Sequence, residues 1–171
     1  VRCVEETFVL MNSMKLGVIK ELPSNNNSPS YIPYNDRFIM GGNGIPYGNV
    51  LRGYDDNRVG PLTSTGNPIG GNTLVKFSTE FRVPFAENPV VYGMVFAEMG
   101  NVWSSTDLME RLSLPRSGPF DLKRSVGVGV RFFMPMIGML GFDFARGFDR
   151  VDNNGKLKPE WKTTLTFGQQ F

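Results

Sequence analysis

The chain has 171 residues, room for one domain, and a net charge of +2 at pH 7 that gives no electrostatic reason to expect a nucleic-acid partner. It has no histidine and a single cysteine, Cys3, which excludes imidazole chemistry and a disulfide framework and argues against a zinc site. Fourteen Phe and twenty Gly are a heavy load that suits either a soluble globule or a chain whose apolar residues face lipid in alternation.

The first segment, residues 8–19, has Phe8, Leu10, Met14, Leu16 and Val18 on even positions and Ser13, Lys15 and Gly17 among the odd ones, the moderate alternation of a strand. A long Gly/Pro/Asn-rich interruption follows, residues 20–72, which includes Ser24-Asn25-Asn26-Asn27-Ser28-Pro29 and Gly41-Gly42-Asn43-Gly44 and closes on Gly70-Gly71-Asn72. A loop of this length in a compact chain is functional or disordered. Residues 73–85 form a second strand, with Val75, Phe77, Phe81, Val83 and Phe85 on one face and Leu74, Lys76, Ser78, Glu80 and Arg82 on the other. That is about twice the mean length of a soluble strand. After a brief turn at 86–89, residues 90–103 are apolar on both sides except for Glu98, and a carboxylate in such a segment needs a partner. Residues 104–123 are polar. Residues 124–134 place Val126, Val128, Val130 and Phe132 against Ser125, Gly127, Gly129 and Arg131. A tight turn at Pro135 leads to residues 139–148, with Leu140, Phe142 and Phe144 against Gly141, Asp143 and Ala145. After a loop at 149–160, residues 161–171 put Trp161, Leu165, Phe167 and Phe171 on one face and Lys162, Thr164, Thr166 and Gly168 on the other.

No apolar run reaches the roughly 18 residues of a membrane-spanning helix; the longest candidate, 132–142, is broken by Pro135, Gly138 and Gly141. The connections instead run long, short, long, short, medium, the pattern of outer-membrane barrels with short periplasmic turns and longer extracellular loops. The expected fold is therefore all-β, an antiparallel transmembrane β-barrel with a polar lumen and a Phe/Val face toward lipid. The glycines of the inner face (Gly127, Gly129, Gly141, Gly168) would leave room for an inserted loop. Six strands cannot close such a barrel, so the chain is expected to be the C-terminal portion of a longer one, or to pool strands with other copies. The absence of a secretory signal at Val1 fits removal of a signal or a start inside a longer protein. The competing reading is a soluble six-stranded sandwich, against which strand length, loop alternation and the terminal aromatic all count.

Leu51-Arg52-Gly53-Tyr54 resembles the [V/L]-R-G-[F/Y] motif of the BamA-like superfamily of outer-membrane assembly and translocation barrels. Further elements occur in the same order. The stretch 37–43 resembles the F-x-x-G-G element. Gly70-Gly71-Asn72 resembles the G-G-N before the next strand, and Ser78-Thr79-Glu80-Phe81 its S-x-E-[FY]. Residues 96–103 resemble F-x-[DE]-x-G-x-V-W, with Glu98 where Asp is commoner, and 124–144 resembles the glycine-rich hairpin that follows. The resemblance implies a sixteen-stranded barrel of which this chain holds the last six strands, a loop over 20–72 folded into the lumen, and periplasmic POTRA domains outside this sequence.

Arg52 stands between an apolar residue and a glycine, while Glu80 and Glu98 both fall on inward positions of neighbouring strands. A guanidinium offers five donors in a planar fork and can bridge two carboxylates; alone, this spacing also fits a solvated loop arginine. The family motif implies the first: a lumen latch of Arg52, Gly53, Tyr54, Glu80 and Glu98, with Gly53 permitting the tight backbone course and Tyr54 stacking on the wall, so that Arg52→Ala impairs assembly activity or barrel integrity. For the last strand, Trp161, Leu165, Phe167, Gly168 and Phe171 resemble the C-terminal signal of such barrels and would border a weakly paired seam; a plain aromatic girdle fits Phe171 as well.

Gly41-Gly42-Asn43-Gly44 lacks the Lys-[Ser/Thr] of a phosphate loop, and the acidic stretch 149–154 lacks the bidentate Glu of a calcium loop; both are read as turns. Asp55, Asp56 and Arg58 are read as loop dressing rather than metal ligands. Without histidine no nucleophile–base pair is supported, and the chain is read as non-enzymatic, with no cofactor and no metal. The resemblance implies an assembly factor that inserts β-barrel proteins into the bacterial outer membrane, with unfolded clients, accessory lipoproteins and outer-membrane lipid as partners. A two-partner secretion transporter of the same superfamily and a passive porin are the alternatives.

Overall fold

Strict alternation over long segments fixes which face of each strand meets which, because a one-residue slip would invert every side chain. The computed structural model describes residues 8–21, 32–44, 48–87, 89–105, 109–110, 118, 120–136, 138–151 and 156–167. Within these lie β1 (Val9–Val18), β2 (Thr73–Glu87), β3 (Val90–Trp103), β4 (Lys123–Met134), β5 (Gly138–Gly147) and β6 (Trp161–Phe167). They form one six-stranded antiparallel meander in which the strands lie in chain order. All six expected strands are present, and their bounds move by a few residues. The expected turn at 86–89 starts late, since Ala86 and Glu87 still pair with Val91 and Val90. Pro84 is accommodated in β2 because the register shifts between Pro84 and Ala86.

The pairing keeps like with like. Phe81 lies opposite Val95 and Glu80 opposite Phe96; Val128 lies opposite Phe144 and Gly129 opposite Asp143. The outer face is therefore apolar and exposed: Leu10, Met14, Leu16, Phe81, Val95, Val128, Phe142 and Phe144 all lie open on it. Cross-strand aromatic pairs reinforce it, with Phe8 on Phe81, Phe132 on Phe142 and Phe144 on Trp161 at centroid separations of 5.6, 6.1 and 4.7 Å. The inner face is polar and buried, with Ser78, Glu80, Glu98, Ser125, Arg131, Asp143, Thr164 and Thr166 all shielded. An exposed apolar outside and a buried polar inside invert the soluble pattern and are those of a membrane barrel wall.

What shields the inner face is the long connection between β1 and β2, described over 32–44 and 48–72. It holds a short 3-10 turn (Tyr34–Asp36) and is otherwise tied by isolated bridges, Phe38 with Gly71, Met40 with Val59 and Gly42 with Leu51. Met40, Leu51, Tyr54 and Val59 pack with Leu74 of β2 and Val102 of β3 into one apolar cluster, with Phe38 at its edge. The loop reaches both flanks of the sheet. The Phe38 ring covers Gly17 of β1, while Asn43 donates to the Leu165 carbonyl of β6 at 3.0 Å.

The inner-face glycines of β4 and β5 serve a different purpose from the one expected. Gly127 faces the Phe96 ring, Gly129 faces the Asp143 carboxylate and the Met94 methyl, and Gly141 faces Thr166 and the Arg131 guanidinium. Most of the space is taken by side chains of the wall itself. Gly147 is the glycine against which the loop lies. Gly168 falls outside the described residues.

Candidate functional site

Leu51 is fully buried in the loop's apolar cluster, and Gly53 takes a φ of +86° that L side chains rarely adopt. Between these two fixed points the Arg52 side chain is delivered to the wall. Its Nη2 donates to Glu80 Oε1 at 2.6 Å and to Glu98 Oε1 at 2.7 Å. Its backbone N–H donates to Glu98 Oε2 at 2.9 Å. The guanidinium carbon lies 3.5 Å from the centroid of the Phe96 ring, a desolvated cation–π contact. Nη1 lies 3.7 Å from Met94 Sδ and 3.8 Å from Asp143 Oδ1. Nε is buried and has no acceptor among the described residues.

Arg52, Glu80 and Glu98 thus meet, in a geometry other than the planar fork. One nitrogen serves both carboxylates, because Glu80 lies opposite Phe96 and Glu98 opposite Ser78, so the two acids approach along a diagonal. Around them is a wider network that sequence reasoning did not assemble. Glu98 Oε1 also takes Lys76 Nζ at 3.1 Å and Ser78 Oγ at 3.1 Å. Glu80 Oε2 accepts from Arg82 Nη2 at 2.7 Å. Asp143 is gripped by both terminal nitrogens of Arg131, at 2.8 and 2.7 Å. Each of these residues has the right parity to face inward; which of them touch depends on register.

Gly53 and Tyr54 seat the loop on β5. A Cβ on Gly53 would sit 2.8 Å from the Gly147 nitrogen, and one on Gly147 would sit 2.9 Å from the Tyr54 ring. The Tyr54 hydroxyl donates to the Arg124 carbonyl at 2.7 Å, and burial pushes its pKa above the ordinary tyrosine value. Asp56 Oδ1 accepts the Asn43 N–H at 2.8 Å, filling the 41–44 glycine turn from within. On β6, Trp161 lies exposed on the outer face, Leu165 has the same parity, and Phe167 is the last described strand residue. Gly168 and Phe171 lie outside the described residues.

Asp55 fastens the loop to the far side, with Lys162 of β6 at 2.7 Å and Arg150 at 3.0 Å. Burial pushes its carboxyl up, but Lys162 and Arg150 outweigh that and hold it below the ordinary carboxylate value. A depressed folded pKa contributes stability above the unfolded value and loses it as pH falls through the folded one. Proteolysis of the 20–72 loop in the detergent-solubilised protein should therefore be flat from neutral pH to about pH 4 and rise below it, whereas Asp55→Asn should show the raised rate at neutral pH. A variant indistinguishable from wild type would exclude this tether.

The family model of the Omp85 superfamily domain matches residues 3–171. Among solved structures, BamA from Haemophilus ducreyi lacking POTRA domains 1–3 has a similar fold, with a TM-score of 0.63 at 19% identity, over 92% of this chain and 31% of that one. The chain thus spans under a third of that structure.

Proposed function

The chain belongs to the Omp85 superfamily, and from that premise we propose that it is the barrel portion of a factor that folds and inserts β-barrel proteins into the bacterial outer membrane. The observation that supports this most is the buried Arg52 contact with Glu80 and Glu98, which holds a long loop against the inner wall. The passive-porin reading expects an open channel with no inserted Arg52 loop, whereas here the loop is held by desolvated charges, which are costly to bury. In this reading Arg52, Gly53, Tyr54, Glu80 and Glu98 keep the loop seated while the work is done elsewhere, at a weak seam bordered by residues 161–171, including Trp161, Leu165, Phe167, Gly168 and Phe171. Incoming strands are templated there by edge pairing, with no nucleotide and no covalent chemistry. Its partners are unfolded outer-membrane proteins, accessory lipoproteins and the surrounding lipid, and its POTRA domains lie upstream of this sequence.

Depletion of the full-length protein tests the reading. Outer-membrane barrels as a class should fall several-fold while their unfolded forms accumulate in the periplasm. Unchanged barrels with loss of one secreted polypeptide would make the protein a two-partner secretion transporter.

A further inference from the structure

The outer face is apolar along most of its height, but at the end carrying the long connections two neighbouring strands change character together. On β4 the outward series Phe132, Val130, Val128, Val126 ends in Arg124; on β5 the series Phe142, Phe144 ends in Arg146. Arg146 pairs with Val126 on one side and Trp161 on the other, so the row reads valine, arginine, tryptophan. Arg124 is its diagonal neighbour, about 7–8 Å away by sheet geometry, because the Phe148 N–H donates to the Arg124 carbonyl. The two arginines differ in state. Arg124 is clamped by Asp149, with Nε and Nη2 at 3.2 and 3.0 Å from the carboxylate oxygens. Arg146 is half-buried, and its Nε is shielded without an acceptor among the described residues.

A guanidinium on a lipid-facing wall, its Nε without an acceptor among the described residues, is expensive in hydrocarbon and favourable at headgroup height, where its stem lies along apolar surface and its charge meets an anion. Trp161 beside it, stacked on Phe144, is the residue type that marks this height. The end is the extracellular one, since the long connections lie there and the short turns opposite. We propose that Arg146, with Arg124 and Trp161 beside it, forms a site on the outer wall for a phosphate of the outer-leaflet glycolipid, lipid A. Arg146 supplies the charge-assisted hydrogen bonds that a phosphate takes from arginine, Trp161 flanks the acyl–headgroup boundary, and Arg124, neutralised by Asp149, borders the site without adding net charge. The site rests on the outer-membrane reading above and is remote from the Arg52 contacts.

The test uses the full-length protein, purified in mild detergent and placed in nanodiscs of phosphatidylethanolamine doped with lipid A, with retained lipid A read by native mass spectrometry. Wild type should retain lipid A several-fold over Arg146→Gln, Arg146→Lys should recover part of the difference, and dephosphorylated lipid A should not be retained above the Arg146→Gln level. Heat-modifiable migration establishes that each variant is a folded barrel. Equal retention by folded wild type and Arg146→Gln would overturn the site, and so would equal retention of phosphatidylglycerol substituted for lipid A. A failed outer-membrane reading shows differently, as wild-type protein that does not fractionate with the outer membrane at all.

Discussion

Glu98→Ala should release the lumen loop more completely than Arg52→Ala, although Arg52 is the residue at the centre of the motif. The cluster holds four cations, Arg52, Lys76, Arg82 and Arg131, and three carboxylates, Glu80, Glu98 and Asp143. Removing Arg52 leaves three of each, and the amide of residue 52 can still donate to Glu98 Oε2. Removing Glu98 leaves four cations against two carboxylates. It also strips partners from the Arg52 amide, the Arg52 guanidinium, Lys76 and Ser78 at once. Breaking a buried ion pair by deleting one partner costs about 3–5 kcal/mol; Glu98→Ala belongs at the top of that range and Arg52→Ala at the bottom. Glu80→Ala should cost less than Glu98→Ala, because Glu80 serves Arg52 through one oxygen and the part-exposed Arg82 through the other. Loop proteolysis and the temperature at which the heat-modifiable band disappears should rank Glu98→Ala as most severe. Arg52→Ala more severe than Glu98→Ala would mean that the guanidinium works through contacts other than these carboxylates.

Gly53→Ala should rival those charge deletions although it removes no interaction. A side chain at φ +86° is strained by about 1–3 kcal/mol, and the added Cβ would lie 2.9 Å from the Arg146 carbonyl carbon and 2.8 Å from the Gly147 nitrogen, both backbone. Backbone at the end of β5, still paired to β4 and β6 through Arg146 and Gly147, cannot readily step aside, so the loop must lift from the wall and draw Arg52 away from its carboxylates. Overpacking of this kind adds about 1–3 kcal/mol. Gly66→Ala is the matched comparison: φ is +81°, but the nearest atoms to its Cβ are those of the Arg58 guanidinium, 3.8 Å away. It carries the strain without the collision. Unfolding temperatures that fall equally in both variants would show that close contact at Gly53 contributes nothing.

The strands were legible because one face of each is apolar throughout, and a period of two survives whether that face meets a core or a lipid. Arg52 was legible from its setting between Leu51 and Gly53 and from the ordered motifs around it; Glu80 and Glu98 were legible as the inward acids of adjacent strands. Asp143 was not placed with them, although it too has inward parity. Between β3 and β5 lies β4, whose inner face offers only Gly127 and Gly129 at this height. The missing side chains leave room for the Phe96 ring over Gly127 and for the Asp143 carboxylate over Gly129, where it comes within 3.8 Å of Arg52 Nη1. Parity along one strand carries no information about distance across three. The glycines were legible as space, and their occupants follow from the same register.

Mechanically, the loop is a strut across the concave side of the sheet, and its two ends are unequally stiff. On the β1–β3 flank it is held by packing: Phe38 on Gly17, and Met40, Leu51 and Val59 on Leu74 and Val102. On the β6 flank it is held by Asn43 on one carbonyl and by Asp55 with Lys162 and Arg150, whose side chains are part-exposed. Part-exposed ion pairs are worth about 0–1 kcal/mol each, far less than a packed apolar cluster. The loop therefore braces the β1–β3 flank more firmly than the β6 flank, where a few polar contacts join it to the last described strand.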